Sequence, residues 1–285
     1  MKLRFLGTSA SAGFPNVHCR CENCNAARVA GGKSLRRMVS AMIDDDLIID
    51  LGPDVDAACR DQGLILGDVE WVLQTHPHAD HIQPMHAIAR GASWAAQNAK
   101  PLEWFGARSS IEVILNGLGK SAAKMDMVVD DAVTPAKLRL TTIEPWQELQ
   151  FGPYRVQTIA ANHDAAVDPM LFAIAKDGRH LLWGSDTTTL PADTWPRIAE
   201  MGWKFDVVVF DHNDGFMRDA SPTHMGSDAV LSEYARMRGL GLVSETTRLL
   251  GTHIAHHSNS THEVESARAQ ALGYDIAYDG LVVEV

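Results

Sequence analysis

The chain has 285 residues, is 46% hydrophobic and carries a formal net charge of −11. It is long enough to bury a substantial core, and its acidity excludes a broad polyanion-binding surface, which needs clustered Lys and Arg, so nucleic acid is an unlikely partner while a small anion held by metal ions is not excluded. No window approaches the roughly 20 apolar residues of a membrane span, and residues 1–7 read as a first strand, not as the apolar region of a signal peptide; a soluble, cytoplasmic protein without membrane contact is expected.

Strands are predicted over 2–6, 38–43, 47–51 and 71–74, with Gly and polar residues between them. A helical composition follows over 82–97, then a strand over 102–105 and a helix over 110–118. A second β-series is predicted over 138–143, 154–160, 171–175 and 180–184, leading into a helix over 192–201 and an apolar strand over 205–210. Helices over 225–237 and 261–272 close the pattern. No repeat, low-complexity tract or linker marks a boundary, so residues 1–285 read as one domain of mixed α/β (α+β) class. Two β-series with helices between and after them fit two sheets packed face to face under outer helices, an αββα sandwich.

Two clusters carry chemistry. Cys19, Cys21 and Cys24 crowd into six residues while Cys59 stands alone, a spacing that suits a metal clip better than a disulfide scaffold. His76, His78, Asp80 and His81 follow the strand ending near Gln74, and three imidazoles and a carboxylate at a strand mouth are natural ligands for zinc, manganese or iron. A loop can wrap all four around one or two ions, whereas a helix or a strand cannot. With 13 histidines in the chain, chance clustering at this spacing is a poor explanation.

The pattern His-x-His-x-Asp-His is the signature of the metallo-β-lactamase superfamily, which the chain resembles from its first strand to its last. In chain order, Asn162-His163-Asp164, Gly184-Ser185-Asp186-Thr187 and Gly251-Thr252-His253 match that family's later metal ligands. The resemblance implies one divalent ion (Zn²⁺ or Mn²⁺) on His76, His78 and His163, a second on Asp80, His81 and His253, and Asp186 bridging them. It implies a hydrolase, with Asp80 and Asp186 in the catalytic centre and a water shared by the two ions activated for attack. Asp50 falls where the family places an acid that orients ligand histidines, although a strand-end cap would serve the same position.

Three features resemble, more narrowly, the phosphoribosyl cyclic phosphate phosphodiesterase of the carbon-phosphorus lyase pathway. The loop over about 13–26, with Cys19, Cys21 and Cys24, resembles that subfamily's structural zinc site, whose fourth ligand here is His256, with His257 or His18 as alternatives. A closed site of three thiolates and an imidazole has no open position for chemistry and serves stability. Ser221-Pro222-Thr223-His224 matches the place of an active-site histidine that is not a metal ligand; His224 then protonates the leaving alkoxide or grips a phosphate oxygen, unless Thr223 is a plain helix N-cap. The segment between His81 and Leu138 is longer than that resemblance leads one to expect, and Asp211-His212-Asn213-Asp214-Gly215-Phe216 has no counterpart in it, so Asp211 and His212 stay unassigned.

The expected substrate is a small phosphodiester, such as a cyclic ribosyl phosphate, and a homodimer is expected by resemblance. Thiolester or lactone hydrolysis remains an alternative, because the ligands alone do not select the electrophile. So does a cofactor-biosynthesis or binding protein of the pyrroloquinoline-quinone type, which the N-terminal region also resembles. The related transfer-RNA 3′-processing endonuclease would need a basic clamping arm, and none is visible. His86, His180 and His262 receive no chemical role.

Overall fold

A computed structural model describes residues 1–92, 94, 96–217 and 221–285. The chain lays down β1 (Lys2–Gly7), β2 (Ser40–Ile43), β3 (Leu47–Ile49), β4 (Trp71–Leu73), β5 (Leu102–Gly106), β6 (Met127–Val129) and β7 (Leu138–Thr142). It continues through β8 (Glu148–Phe151), β9 (Tyr154–Ala160), β10 (Met170–Lys176), β11 (Arg179–Gly184), β12 (Val207–Asp211), β13 (Arg248–Thr252), β14 (Asp275–Ile276) and β15 (Val282–Glu284). The first sheet has the order β15-β1-β2-β3-β4-β5-β7-β6 and the second β14-β13-β12-β11-β10-β9-β8. Helices α1 (Glu22–Ala30), α2 (Val55–Gln62), α3 (Met85–Gly91), α4 (Arg108–Leu118), α5 (Thr194–Ala199), α6 (Ser227–Gly239) and α7 (His262–Gln270) complete the set.

Between the sheets lies a core in which Leu3, Phe5, Ile49, Leu73, Phe172, Trp183 and Val209 are buried, with the Phe5 and Trp183 rings 5.8 Å apart. Each such side chain contributes roughly 1.5–3 kcal/mol by leaving water. The outer face of the first sheet packs against α2, α3 and α4 through Val55, Ala58, Ala87, Ile111 and Ile114, and that of the second against α1, α5, α6 and α7 through Ala27, Trp195, Val230 and Ala269. The layers are the expected αββα sandwich. Buried on both faces, β12 is a continuous apolar run, Val207–Phe210, as parallel central strands usually are. Edge strand β8 alternates exposed and buried residues instead.

Several boundaries differ from the sequence-based expectation for local reasons. The helix expected over 82–97 is only Met85–Gly91: Pro84 disfavours helix before it, and at Ala92 the chain turns extended to bridge Met125. Residues 93 and 95 of that stretch lie outside the described residues. The cysteine segment over 13–26 is not all loop, because Cys21 caps α1, its Sγ accepting the Cys24 N–H, and Cys24 lies inside the helix. The helix expected from Met225 begins at Ser227 behind Gly226, so Thr223 is not its cap. Short α2, β6, β8, β14 and β15 fell below what periodicity reveals.

Candidate metal centre

The topology carries the candidate residues to one edge of the sandwich. Asp50 follows β3, the segment Thr75 to His81 follows β4, His163 follows β9, Asp186 follows β11, Asp211 ends β12 and His253 follows β13. Asp50, Asp186 and His253 all have positive φ, of 62°, 54° and 61°. A non-glycine residue in that region costs on the order of 1 kcal/mol or more and persists where its surroundings impose it, most often at functional sites. At Gly52 a Cβ would sit 2.5 Å from the Asp80 carbonyl oxygen, so only glycine lets the β3 end pass this close to the His-rich loop.

The histidines are held from behind, which fixes the nitrogen each presents inward. His81 Nδ1 donates to Asp50 Oδ2 at 2.7 Å, and Asp50 also accepts the Thr75 N–H at 2.7 Å. His76 Nδ1 is 3.0 Å from the Thr75 hydroxyl, and His163 Nδ1 donates to the Thr223 carbonyl at 3.0 Å. His78 uses the opposite nitrogen, with Nε2 3.4 Å from Asp164 Oδ2. What remains pointing inward is His76 Nε2, buried without a partner among the described residues, together with His78 Nδ1, His81 Nε2 and His163 Nε2. His253 presents Nε2 to Asp80 Oδ2 at 3.4 Å and Nδ1 to Asp186 Oδ1 at 3.0 Å.

These separations suit cations. Two nitrogen or oxygen donors on a tetrahedral ion at about 2.0–2.1 Å stand about 3.3 Å apart. His78 Nδ1 and His163 Nε2 are 3.2 Å apart, and Asp80 Oδ2 is 3.4 Å from the Nε2 atoms of both His81 and His253. His81 Nε2 approaches Asp186 Oδ2 to 2.5 Å, yet that oxygen has no aligned hydrogen bond. Donors converge in the sets His76/His78/His163, Asp80/His81/His253 and His76/His81/Asp186, which places Asp186 between the first two. The electrostatics are those of carboxylates short of counter-charge. Burial opposes ionisation of His81, but Asp186, Asp80 and Asp50 outweigh it and hold its pKa well above the ordinary value. For Asp186, burial is outweighed by His253 and His81, and its carboxyl stays well below the usual range.

His224 and Asp211 extend the cluster. His224 Nδ1 donates to Asp211 Oδ2 at 2.7 Å, while Asp211 Oδ1 accepts the Asn213 N–H at 2.7 Å. The His224 ring lies 4.9 Å from that of His163 and 5.2 Å from that of His253. Burial works against its charge, but Asp211, Asp186 and Asp214 prevail and raise its pKa to about 9. Its turn is built by Ser221, whose hydroxyl accepts the His224 N–H and whose own N–H donates to Asp214.

Cys19, Cys21, Cys24 and His256 gather into a second donor set, with Cys21 Sγ 3.7 Å from His256 Nδ1. The Cys24 N–H, with help from His256, lowers the Cys21 thiol to about 6, while burial raises Cys24 to about 11. His256, and not His257 or His18, is the histidine in this set. Because His253 and His256 lie on one short segment, the two clusters share a backbone.

Sequence reasoning missed Asp164 and Asn213 as supports and left Asp211 without a role; the signal available for Asp211 was its place at the end of an apolar parallel strand. His212 turns away from the site, its Nε2 2.8 Å from the Tyr274 hydroxyl, and burial lowers it to about 4. His86 donates to the Gly52 carbonyl, His180 packs on Trp203, and His262 accepts from Arg36.

The Beta-lactamase superfamily domain matches residues 47–254. Coenzyme PQQ synthesis protein B of Methylobacterium radiotolerans is 24% identical over 313 residues, covering 99% of this chain and 99% of that protein. Among solved structures, a diphosphatase of the PhnP family superposes with a TM-score of 0.73 at 18% identity, covering 100% of this chain and 97% of the other. Zn²⁺-bound PqqB from Methylobacterium extorquens superposes with a TM-score of 0.74 at 17% identity, covering 100% of both chains. At these identities the two structures share the fold. Among the described residues no helix is long and apolar enough to cross a membrane.

Proposed function

Because the chain belongs to the beta-lactamase superfamily, we propose that it is a binuclear metal-dependent hydrolase that cleaves a small phosphodiester, with a cyclic ribosyl phosphate as the leading candidate. One ion would rest on His76, His78 and His163 and the other on Asp80, His81 and His253, with Asp186 between them. Such ions supply a water of lowered pKa and neutralise charge on the phosphoryl oxygens. The protein's part is to hold the donors in one tautomer each, through Asp50, Thr75, Asp164 and the Thr223 carbonyl.

The observation that carries a phosphodiester reading is the Asp211–His224 pair beside this donor set. Asp211 keeps the proton on His224 Nδ1 and stabilises the imidazolium, so the ring can give its Nε2 proton to the leaving alkoxide or hold a phosphoryl oxygen at neutral pH. Either task suits an anionic substrate whose leaving group needs a proton. The acidic surface, net −11, favours a small anion over a nucleic-acid strand.

A second reading has a specific observation behind it: the full-length similarity to Coenzyme PQQ synthesis protein B. On that reading the protein serves cofactor biosynthesis by binding or transforming an organic ligand. The two are separated by assaying the metal-loaded protein on bis(p-nitrophenyl) phosphate, a ribose cyclic phosphate, a thiolester and a lactone. Turnover of the phosphodiesters, lowered by His224→Ala, supports the first; no turnover of any of the four with an organic molecule retained through purification supports the second.

A further inference from the structure

We propose that the two half-sites fill in order, the Asp80/His81/His253 half-site first and tightly, the His76/His78/His163 half-site second and exchangeably, and that Asp164 sets the strength of the second. The inference rests on the binuclear reading above, but it concerns metal binding, not turnover. The two half-sites differ in exposure and in charge. Side chains of Asp80, His81 and His253 are 8%, 1% and 3% exposed, whereas His78 is 40% exposed and its supporting Asp164 44%.

The buried half-site also holds more negative charge. Asp80 belongs to it, Asp50 backs His81 at 2.7 Å, and Asp211 Oδ2 lies 3.7 Å from His253 Nδ1. The open half-site has three imidazoles and no carboxylate of its own, shares Asp186, and is backed by one carboxylate, the solvent-exposed Asp164, 3.4 Å from His78 Nε2. Attraction between a dication and carboxylates is screened far less in the interior than at the surface, so the buried set binds more strongly. Leaving it also requires buried groups to part, whereas solvent already reaches His78. His76, the one buried member of the open half-site, is anchored through Thr75, so its variable members are His78 and His163.

Asp164 is then a positioning residue. Its Oδ2 faces His78 Nε2 at 3.4 Å, while its Oδ1 accepts the Ala166 N–H that starts the short turn over Ala165–Val167. Asp164→Asn keeps an oxygen for the turn but removes the charge that orients His78.

The test is equilibrium dialysis with Mn²⁺ on protein stripped by a mild chelator, with the spectrum of the bound ion recorded. Mn²⁺ avoids thiolates, so the cysteine set does not enter the titration. We expect two separable affinities, a first equivalent with the spectrum of an isolated ion and a second that couples to it. Asp164→Asn should weaken the second about tenfold, the lower end of what a lost supporting contact costs, and leave the first alone. His78→Ala should retain only the first. One affinity for both equivalents, a first equivalent weakened by Asp164→Asn, or a second untouched by it would each overturn the proposal. A protein that fills in this order yet hydrolyses nothing would overturn the hydrolase reading and leave the order standing.

Discussion

The cysteine set and the histidine–carboxylate set lie on the same C-terminal segment, three residues apart at His256 and His253, yet they are built in opposite ways. The first takes its donors from an N-terminal turn and the start of α1, with soft sulfur atoms gathered around one position. The second takes its donors from the ends of four strands, β4 in one sheet and β9, β11 and β13 in the other, with imidazoles backed by carboxylates and an open side at His78 and His163. A site assembled from one short stretch needs only that stretch and one distant histidine. A site assembled from strand ends needs the whole sandwich to be right. The first site ties the N-terminal loop to the segment that presents His253, while the second is the one to which the proposed function assigns the chemistry.

Cys21→Ser is the largest way to break that division. Serine is a good N-cap and can still accept the Cys24 N–H, so α1 keeps its start while the thiolate is lost. Mass spectrometry under native conditions should show one zinc fewer, with Tm falling by about 2–4 °C for each kcal/mol lost, and half or more of the histidine-site metal retained. Loss of both metals' binding together would mean that the two sites are not separable. Asp50→Asn comes next: without its charge behind His81, affinity of the histidine site should drop about 10–100-fold with zinc in the cysteine set unchanged. Gly52→Ala is smaller, about 1–3 kcal/mol of overpacking against the Asp80 carbonyl, read as a lower urea midpoint together with weakened metal binding.

The effect with the least consequence for metal binding is a pH dependence of folding away from both sites. Burial, then Arg36 and Lys33, lower His262 to about 4, and Arg36 Nη2 donates to its Nδ1, a bond only the neutral ring accepts. The unfolded chain takes up this proton near pH 6.5 and the folded chain only near 4, so the unfolded state binds more protons between them. Stability is therefore full above about 6.5 and falls as pH drops toward 4, by at most about 1.4 kcal/mol per pH unit. His262→Gln, compared with wild type by urea unfolding at several pH values, should flatten that slope; an unchanged slope would assign it to other groups.

What the sequence made legible follows the same contrast. The donors were readable because metal chemistry restricts residue type and because the strands before them, such as Val207–Phe210, are apolar runs with clear ends. The supports were harder. Asp164 and Asn213 are ordinary loop residues in sequence, and only the folded chain brings them against His78 and His253. Asp211 and His212 are neighbours of equal promise in sequence, yet one faces the site and the other Tyr274, a consequence of alternation along the strand end that composition does not announce. Helix α1 stayed hidden because three cysteines signal a clip and say nothing of the backbone that carries them.

Whether the histidine–carboxylate cluster is a working metal centre is decided by metal content per chain measured beside hydrolysis of bis(p-nitrophenyl) phosphate, for wild type and Asp186→Ala. The wild-type chain should carry about three metal ions and cleave the phosphodiester, with Asp186→Ala retaining the cysteine-bound zinc while losing histidine-site metal and turnover. Activity indifferent to Asp186, or a histidine cluster that binds no metal, would contradict that reading.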